Sequence, residues 1–429
     1  MSSTTMIDQP VTEPLCLRHQ VLQPVCARAA LARRVVASVA RRVPVDVVLP
    51  DGSLLDDPKR MPRGDRPVLE IVRPNVLFER LAHEPKMAIG ESYMAGDWRA
   101  GPGTDLADLL LPFAERMTTA LPPWLLRLRW LVDRPIPDAQ RNSPEGARRN
   151  IAAHYDLSND LFAAFLDQTM TYSSARFSDE LPWAGQSLAA AQLRKVNAIL
   201  DLADVRAGTR LLEIGTGWGA LAVEAARRGA HVTTLTLSAE QAELAAERVR
   251  AAGLESGVDI RLQDYREADG TYDAIVSVEM IEAVGEEFWP AFFQTLDERL
   301  APGGVVAIQS ILMSHDRFLA TRGSFGWIQR HIFPGGLIPS LRAVEETTAL
   351  NTSLRVTEVD AFGRHYAHTL RRWREAFHAA WPRIQELGFD EVFRRKWEFY
   401  LAYCEAGFES GYLDVAQVRL ERDPAGGRP

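Results

Sequence analysis

The stretch Leu211–Gly219 reads LLEIGTGWG, and its reading decides the fold. An apolar run, TRLLEI (209–214), stops in three glycines that alternate with other residues, and ALAVEAARRGA (220–230) follows with helical spacing. The pattern predicts strand, tight turn, helix. Gly215, Gly217 and Gly219 can adopt backbone angles closed to other residues and let a ligand lie against the main chain. The helix start that follows offers unpaired N–H groups and a positive dipole end. The motif is not the dinucleotide form, because the third glycine comes two residues after the second, not three. Glu213, just before the turn, is placed to meet a cationic amine. A plain strand–helix turn is the alternative.

Outward from that turn, strands are predicted near 209–214, 231–237, 258–263, 272–279 and 304–311, with helices at 219–228, 239–252 and 289–300 and later strands near 354–360 and 413–420. Strand–helix alternation at this spacing predicts an α/β doubly wound sheet, mostly parallel, with helices on both faces. Ligands of such sheets bind beyond the carboxyl ends of the strands. The residues to examine are therefore Gly215 to Gly217, Thr236 to Gln241, Gln263 and Asp264, Val278 to Glu282, and Gln309 to Ile311. A nicotinamide enzyme carries an acidic residue at the end of the second strand to hold the ribose. This chain has TLTLSAEQ there, with polar Thr236 and Gln241, and Asp264 after the third strand can accept from an adenine amine. The set fits S-adenosylmethionine better than NAD.

The chain has 429 residues, 46% hydrophobic and 25% charged, which is ordinary globular composition with room for two or three domains. Its net charge of −8 argues against a general nucleic-acid binder. Cys16, Cys26 and Cys404 form neither a metal spacing nor a disulfide framework, which fits a reducing cytosol, and no metal site is read. No apolar run approaches the roughly 18 residues of a membrane span, and the N-terminus has no signal h-region.

In chain order, residues 1–25 read as poorly ordered and 26–130 as an N-terminal α+β domain. Its helix ARAALARRVVASVARR (27–42) sets Arg33, Arg34, Arg41 and Arg42 among Ala and Val. That helix reads either as packed on its own domain or as a basic face near an anionic membrane. VDRPIPDAQRNSPEGAR (131–147) is rich in Pro and charge and reads as a linker. Residues 148–425 form the larger domain, with an insertion around 312–350. In 150–177, Ser158 or Asn159 is placed to cap a helix. Phe325 and Trp327 are candidate site rings, with ordinary core as the alternative. Trp397, Tyr400, Leu401, Cys404 and Phe408, at helical spacing, read as core.

Several blocks together resemble the cyclopropane-fatty-acid and mycolic-acid synthase family of S-adenosylmethionine-dependent methyltransferases. They are GESYMAGDW (90–98), HYDLSND (154–160), TYSS (171–174), EIGTGWG (213–219), TLSAEQ (236–241), LQDYR (262–266), IEAVG (281–285), IFPGG (332–336) and HY (365–366). The likeness runs from about residue 85 to 420 and is strongest to the actinobacterial branch making 10-methylene and 10-methyl (tuberculostearic-type) fatty acids. It implies a class I methyltransferase sheet of seven strands, the last antiparallel. Further, it implies that Tyr172 and Ser173 contact the methionine part, Gly215 and Gly217 the cofactor backbone, Thr236 and Gln241 the ribose, and Gln263 and Asp264 the adenine. The family also holds a bicarbonate as base, with ligands matching Glu282, Tyr366 and the backbone at Ile311. Two positions depart: the family's cysteine is Ser174 here and its histidine is Gln309. Both Ser and Gln can still donate to an anion.

The chemistry accords with this. An isolated alkene is a poor nucleophile, so the sulfonium methyl must be held in line in a dry site. Transfer leaves a carbocation, which needs aromatic faces or carboxylates nearby and a base. The resemblance implies methylation of an unsaturated, oleoyl-type phospholipid at the inner membrane surface by a cytoplasmic, peripherally bound enzyme. The implied product is a methylene branch, with a cyclopropane ring as the alternative. A separate reductase then acts on the product, and a homodimer is allowed for. A methyltransferase for small molecules or proteins, or a lipid-binding protein without catalysis, stays open as another class.

Overall fold

The computed structural model describes residues 27–117, 137, 140–143, 146 and 158–423. The expected linker 131–147 lies mostly outside them, as do residues 1–25, Cys16, Cys26 and the 154–157 part of the HYDLSND block. The described chain begins with helix Ala27–Ala40 and a three-stranded sheet of β1 (Asp46–Val48), β2 (Val68–Ile71) and β3 (Trp98–Ala100), in the order β1-β2-β3. Helices Pro74–His83 and Pro85–Ala95 join β2 to β3, and helix Leu106–Glu115 follows β3. Within GESYMAGDW, Gly96 closes the second of these with φ 74°, a left-handed angle that favours glycine. Trp98 donates from Nε1 to the Ile89 carbonyl at 2.9 Å.

The larger sheet has seven strands: β4 (Arg210–Ile214), β5 (His231–Thr236), β6 (Val258–Leu262), β7 (Tyr272–Val278), β8 (Leu300–Met313), β9 (Leu354–Ala361) and β10 (Leu413–Arg422). Their order is β6-β5-β4-β7-β8-β10-β9. The strands from β6 to β8 are parallel to their neighbours, while β10 runs antiparallel to both β8 and β9. This is the expected seven-stranded α/β sheet with the last strand antiparallel. β4 is buried from Leu211 onward because helices cover both faces, so its apolar residues run consecutively instead of alternating. The chain passes from β4 outward to β5 and β6, then returns to the other side of β4 as β7. The order therefore reverses between β4 and β7, and the ends of those two strands flank the binding crevice.

The N-terminal elements do not pack alone. One apolar cluster joins Val47, Ile71 and Trp98 to Phe162 and Phe165 of helix Asn159–Phe165. It continues through Trp373 and Phe377 of helix Gly363–Glu386 to Trp397 and Phe399 of helix Glu391–Glu409. Each such buried side chain contributes roughly 1.5–3 kcal/mol. Arg374 fastens the same junction: it meets Asp105, the cap of helix Leu106–Glu115, at 2.7 Å and Glu405 at 3.0 Å. Among the described residues no helix is long and apolar enough to cross a membrane.

Candidate active site

The glycine turn leaves β4 through Gly215 and Thr216, whose N–H groups both donate to the Leu235 carbonyl at 2.9 and 3.1 Å. A Cβ on Gly215 would come within 2.7 Å of Met280, so glycine lets the ends of β4 and β7 approach. Gly217 has φ 52°, and a Cβ there would have no neighbour within 4 Å; its position lines the cavity described below. Trp218, next in the turn, donates from Nε1 to Asn159 Oδ1 at 2.8 Å, tying the HYDLSND block to the glycine turn.

Behind the turn, Thr234 donates to Glu213 at 2.6 Å. Burial pushes the Glu213 carboxyl up to about 8, against the opposing pull of Thr234 and Lys195. At the end of β5, Thr236 donates to Gln241 Oε1 at 2.9 Å. Ser238 caps helix Ala239–Ala251 by accepting from the Gln241 N–H at 3.2 Å, which places Gln241 beside Thr236. After β6, Asp264 uses Oδ1 to accept from the Arg266 N–H at 3.0 Å, while its buried Oδ2 has no partner. Gln263 is turned toward its own loop, donating to the Glu267 carbonyl at 2.6 Å, though it also lines the cavity.

The TYSS loop is held by helix Leu188–Leu202. Gln192 donates to the Ser173 carbonyl at 2.9 Å, and Lys195 donates from Nζ to Ser173 Oγ at 2.7 Å. Lys195 is 1% exposed, and burial lowers its ammonium to about 8 despite the carboxylates of Glu279, Asp167 and Glu213 around it. Sequence reasoning passed over it. The available signal was a lysine on the apolar stripe Ala191–Lys195–Ile199. Tyr172 shares a 2.8 Å hydrogen bond with Tyr400.

The residues for which the resemblance implied a common ion are split between two carboxylates. Tyr366 donates from its hydroxyl to Glu279 Oε2 at 2.7 Å. Gln309 donates from Nε2 to Glu279 Oε1 at 2.8 Å, and the Ser174 backbone N–H donates to the same oxygen at 3.0 Å. The Ser174 hydroxyl itself turns away, to the Ala175 carbonyl at 3.1 Å. The Ile311 N–H and the Ser310 hydroxyl instead donate to Glu282 Oε1, leaving Glu282 Oε2 without a partner. Gln309 is in turn oriented by Gln417, whose Nε2 donates to Gln309 Oε1 at 3.1 Å. Glu279 lay within the Val278–Glu282 stretch flagged by strand position but was not singled out.

Burial, then the neighbouring Glu279, pushes the Glu282 carboxyl up to about 8. Burial raises Glu279 too, but its three donors and Lys195 pull the other way. Of the two, Glu279 is the better placed to carry the charge, through its hydrogen bonds and Lys195, and Glu282 to stay the neutral acid. Burial and Glu279 together push the Tyr366 phenol well above its usual range, so it stays a donor.

Both carboxyls line a single cavity of about 1170 Å³. Its lining includes Gly215, Gly217, Thr236 and Asp264 of the glycine turn and strand ends and also Val35, Val39, Val47 and Ile71 of the N-terminal elements. Such a volume exceeds the roughly 300–1,000 Å³ of a typical small-ligand site. Trp327 lies on the cavity wall, while Phe325 is buried core. The 397–408 stretch is core, as expected: Trp397, Tyr400, Leu401 and Phe408 belong to the large apolar cluster and Cys404 packs against it. Tyr400, Cys404 and Phe408 also line the cavity, because one helix surface meets both core and cavity. Burial pushes the Cys404 thiol up to about 12, so it acts there as an apolar group.

Comparison with known proteins gives a consistent picture. The family profile described as mycolic acid cyclopropane synthetase matches residues 142–418. A tuberculostearic acid methyltransferase of Mycobacterium tuberculosis is 49% identical over 402 residues, covering 92% of each chain. A cyclopropane-fatty-acyl-phospholipid synthase of Escherichia coli is 33% identical over 349 residues, covering 80% of this chain and 85% of its own. Among solved structures, a mycolic acid cyclopropane synthase complexed with SAH and CTAB superposes with a TM-score of 0.58 at 33% identity, covering 64% of this chain and 98% of its own.

Proposed function

The chain belongs to the mycolic acid cyclopropane synthetase family, and from that premise we propose that it methylates the double bond of an unsaturated fatty acyl chain of a phospholipid, leaving a methylene branch. The observation that carries the reading is one cavity lined both by the glycine turn with its neighbouring polar residues and by many apolar side chains, those of the N-terminal elements among them. S-adenosylmethionine, consumed as co-substrate, supplies an electrophilic methyl group. In this reading Gly215 and Gly217 lie against it, Thr236 and Gln241 hold its ribose, Gln263 and Asp264 its adenine, and Tyr172, Ser173 and Glu213 its methionine part. The buried, unpartnered Asp264 Oδ2 and the open space at Gly217 fit that assignment.

The acyl chain lies along the apolar part of this lining with its double bond among Tyr366, Tyr400 and Phe408, whose ring faces stabilise a developing cation. Tyr366 and Phe408 already stack with centroids 4.4 Å apart. Helix Ala27–Ala40 supports delivery from an anionic membrane surface. Its Val35, Val36 and Val39 line the cavity while Arg33 and Arg34 are exposed. The methylene product calls for a separate reductase to become a saturated methyl branch.

The test supplies dioleoyl phospholipid vesicles and S-adenosylmethionine without reductant, with the product read by mass spectrometry and proton NMR. Vinylidene protons are expected. Cyclopropyl protons as the main signal would overturn the methylene reading in favour of ring formation, and no methyl incorporation would overturn the lipid substrate.

A further inference from the structure

We infer that Glu279 is the base of this site, a carboxylate of the chain itself set where the resemblance implies a bound bicarbonate. The inference rests on the proposed methyl transfer to an alkene. The donors are already committed: the Tyr366 hydroxyl to one Glu279 oxygen, and Gln309 Nε2 with the Ser174 N–H to the other. Three of the groups that would hold an exogenous anion are thus turned onto Glu279, and an anion placed beside that buried carboxylate would meet a like charge, so the residues present do not fit a bicarbonate there. Glu279 follows the last residue of β7, against the end of β4 where Gly215 opens the glycine turn. It lines the same cavity as Gly215 and Gly217.

The backbone gives an independent argument. Glu279 has φ 50°, a left-handed angle at which a non-glycine residue costs of order 1–3 kcal/mol. Glycine would remove that strain, so the side chain is kept in spite of the backbone. The two departures at Ser174 and Gln309 then make sense together. Ser174 is needed for its amide alone, its hydroxyl pointing elsewhere. Gln309, held by Gln417, donates a hydrogen bond without exchanging a proton, so the proton-accepting role stays with the carboxylate.

The steps balance. The alkene π pair forms a C–C bond to the methyl group as the S–C bond breaks, its electrons staying on sulfur. The cation left on the neighbouring carbon receives a hydride, with its electron pair, from the methyl-bearing carbon. The charge is now tertiary and adjacent to the new methyl. Glu279 takes one proton from that methyl, and the C–H pair becomes the C=CH₂ bond. The proton later leaves to water.

The test measures methyl incorporation into oleoyl phospholipid by the full chain, in buffer freed of carbon dioxide and again with added bicarbonate. The inference expects the wild-type rate to be the same in both. Glu279→Gln should lower turnover by about 10²-fold or more, with S-adenosylmethionine affinity by calorimetry unchanged. Glu279→Gly, which relieves the left-handed strain, serves as the second variant, and its thermal melt shows that the fold is intact. A wild-type rate that collapses without bicarbonate and returns with it would overturn the inference while leaving the methyl-transfer reading standing. Wild-type turnover in either folded variant would do the same. Absence of methyl incorporation in every wild-type arm would instead sink the underlying reading.

Discussion

Tyr366→Phe isolates one hydrogen bond at the proposed base. The ring stays stacked on Phe408, 4.4 Å away, so packing is retained and only the hydroxyl that donates to Glu279 at 2.7 Å is lost. A hydrogen bond to an ionised group contributes about 1.5–3 kcal/mol. That energy favours the charged carboxylate, so its loss makes Glu279 easier to protonate. A base works only when deprotonated, so turnover falls as pH drops through its titration. Removing the donor moves that acid limb to higher pH. At 1.36 kcal/mol per pH unit the displacement is about 1–2 pH units. The assay is methyl incorporation against pH for wild type and variant, with calorimetry for S-adenosylmethionine and a thermal melt as controls. An acid limb left in place, with turnover reduced at every pH alike, would refute Tyr366 as the group that holds the base in its charged form.

Gly217→Leu should weaken S-adenosylmethionine binding by more than about tenfold, or 1.4 kcal/mol, because its side chain starts at φ 52° and projects into open cavity; unchanged affinity by calorimetry would remove the glycine turn from the donor site. The ligand-free protein should lose stability as pH rises from the ordinary glutamate value of 4.5 to about 8, since the folded state holds the Glu213 proton that the unfolded chain has released. Melting temperature followed against pH should show a shallower fall for Glu213→Gln, and an identical slope would contradict a buried neutral acid. Arg374→Ala should destabilise the fold by roughly 3 kcal/mol, the range for leaving a buried charge short of its partner, because it releases both Asp105 and Glu405. Arg371 still reaches Glu405 at 2.7 Å, which holds the loss to the lower part of that range. Urea titration giving a loss near zero would mean that the apolar core alone joins the N-terminal elements to the C-terminal helices.

The alternation of apolar runs and helical spacing from residue 209 onward determined the seven-stranded sheet, and the observed strands begin and end within a few residues of those expected. Such legibility follows from burial: parallel strands covered on both faces must be continuously apolar, and their helices must show one apolar stripe. The turn after β4 was equally plain, because positive φ at Gly215, Gly217 and Gly219 leaves a glycine signature in the sequence. Strand position also picked out the right stretches for Thr236, Asp264 and Val278–Glu282, since the crevice lies beyond the strand ends whatever the side chains are. What local pattern could not decide was which side chains meet. Glu279 lies 105 residues from Ser174 and 87 from Tyr366, and Lys195 lies 22 from Ser173. Those contacts exist only once β7, helix Leu188–Leu202, helix Gly363–Glu386 and the TYSS loop are packed together. The same holds for Tyr400, Cys404 and Phe408, apolar enough to read as core. Only the tertiary structure shows that the surface they cover is the wall of a cavity.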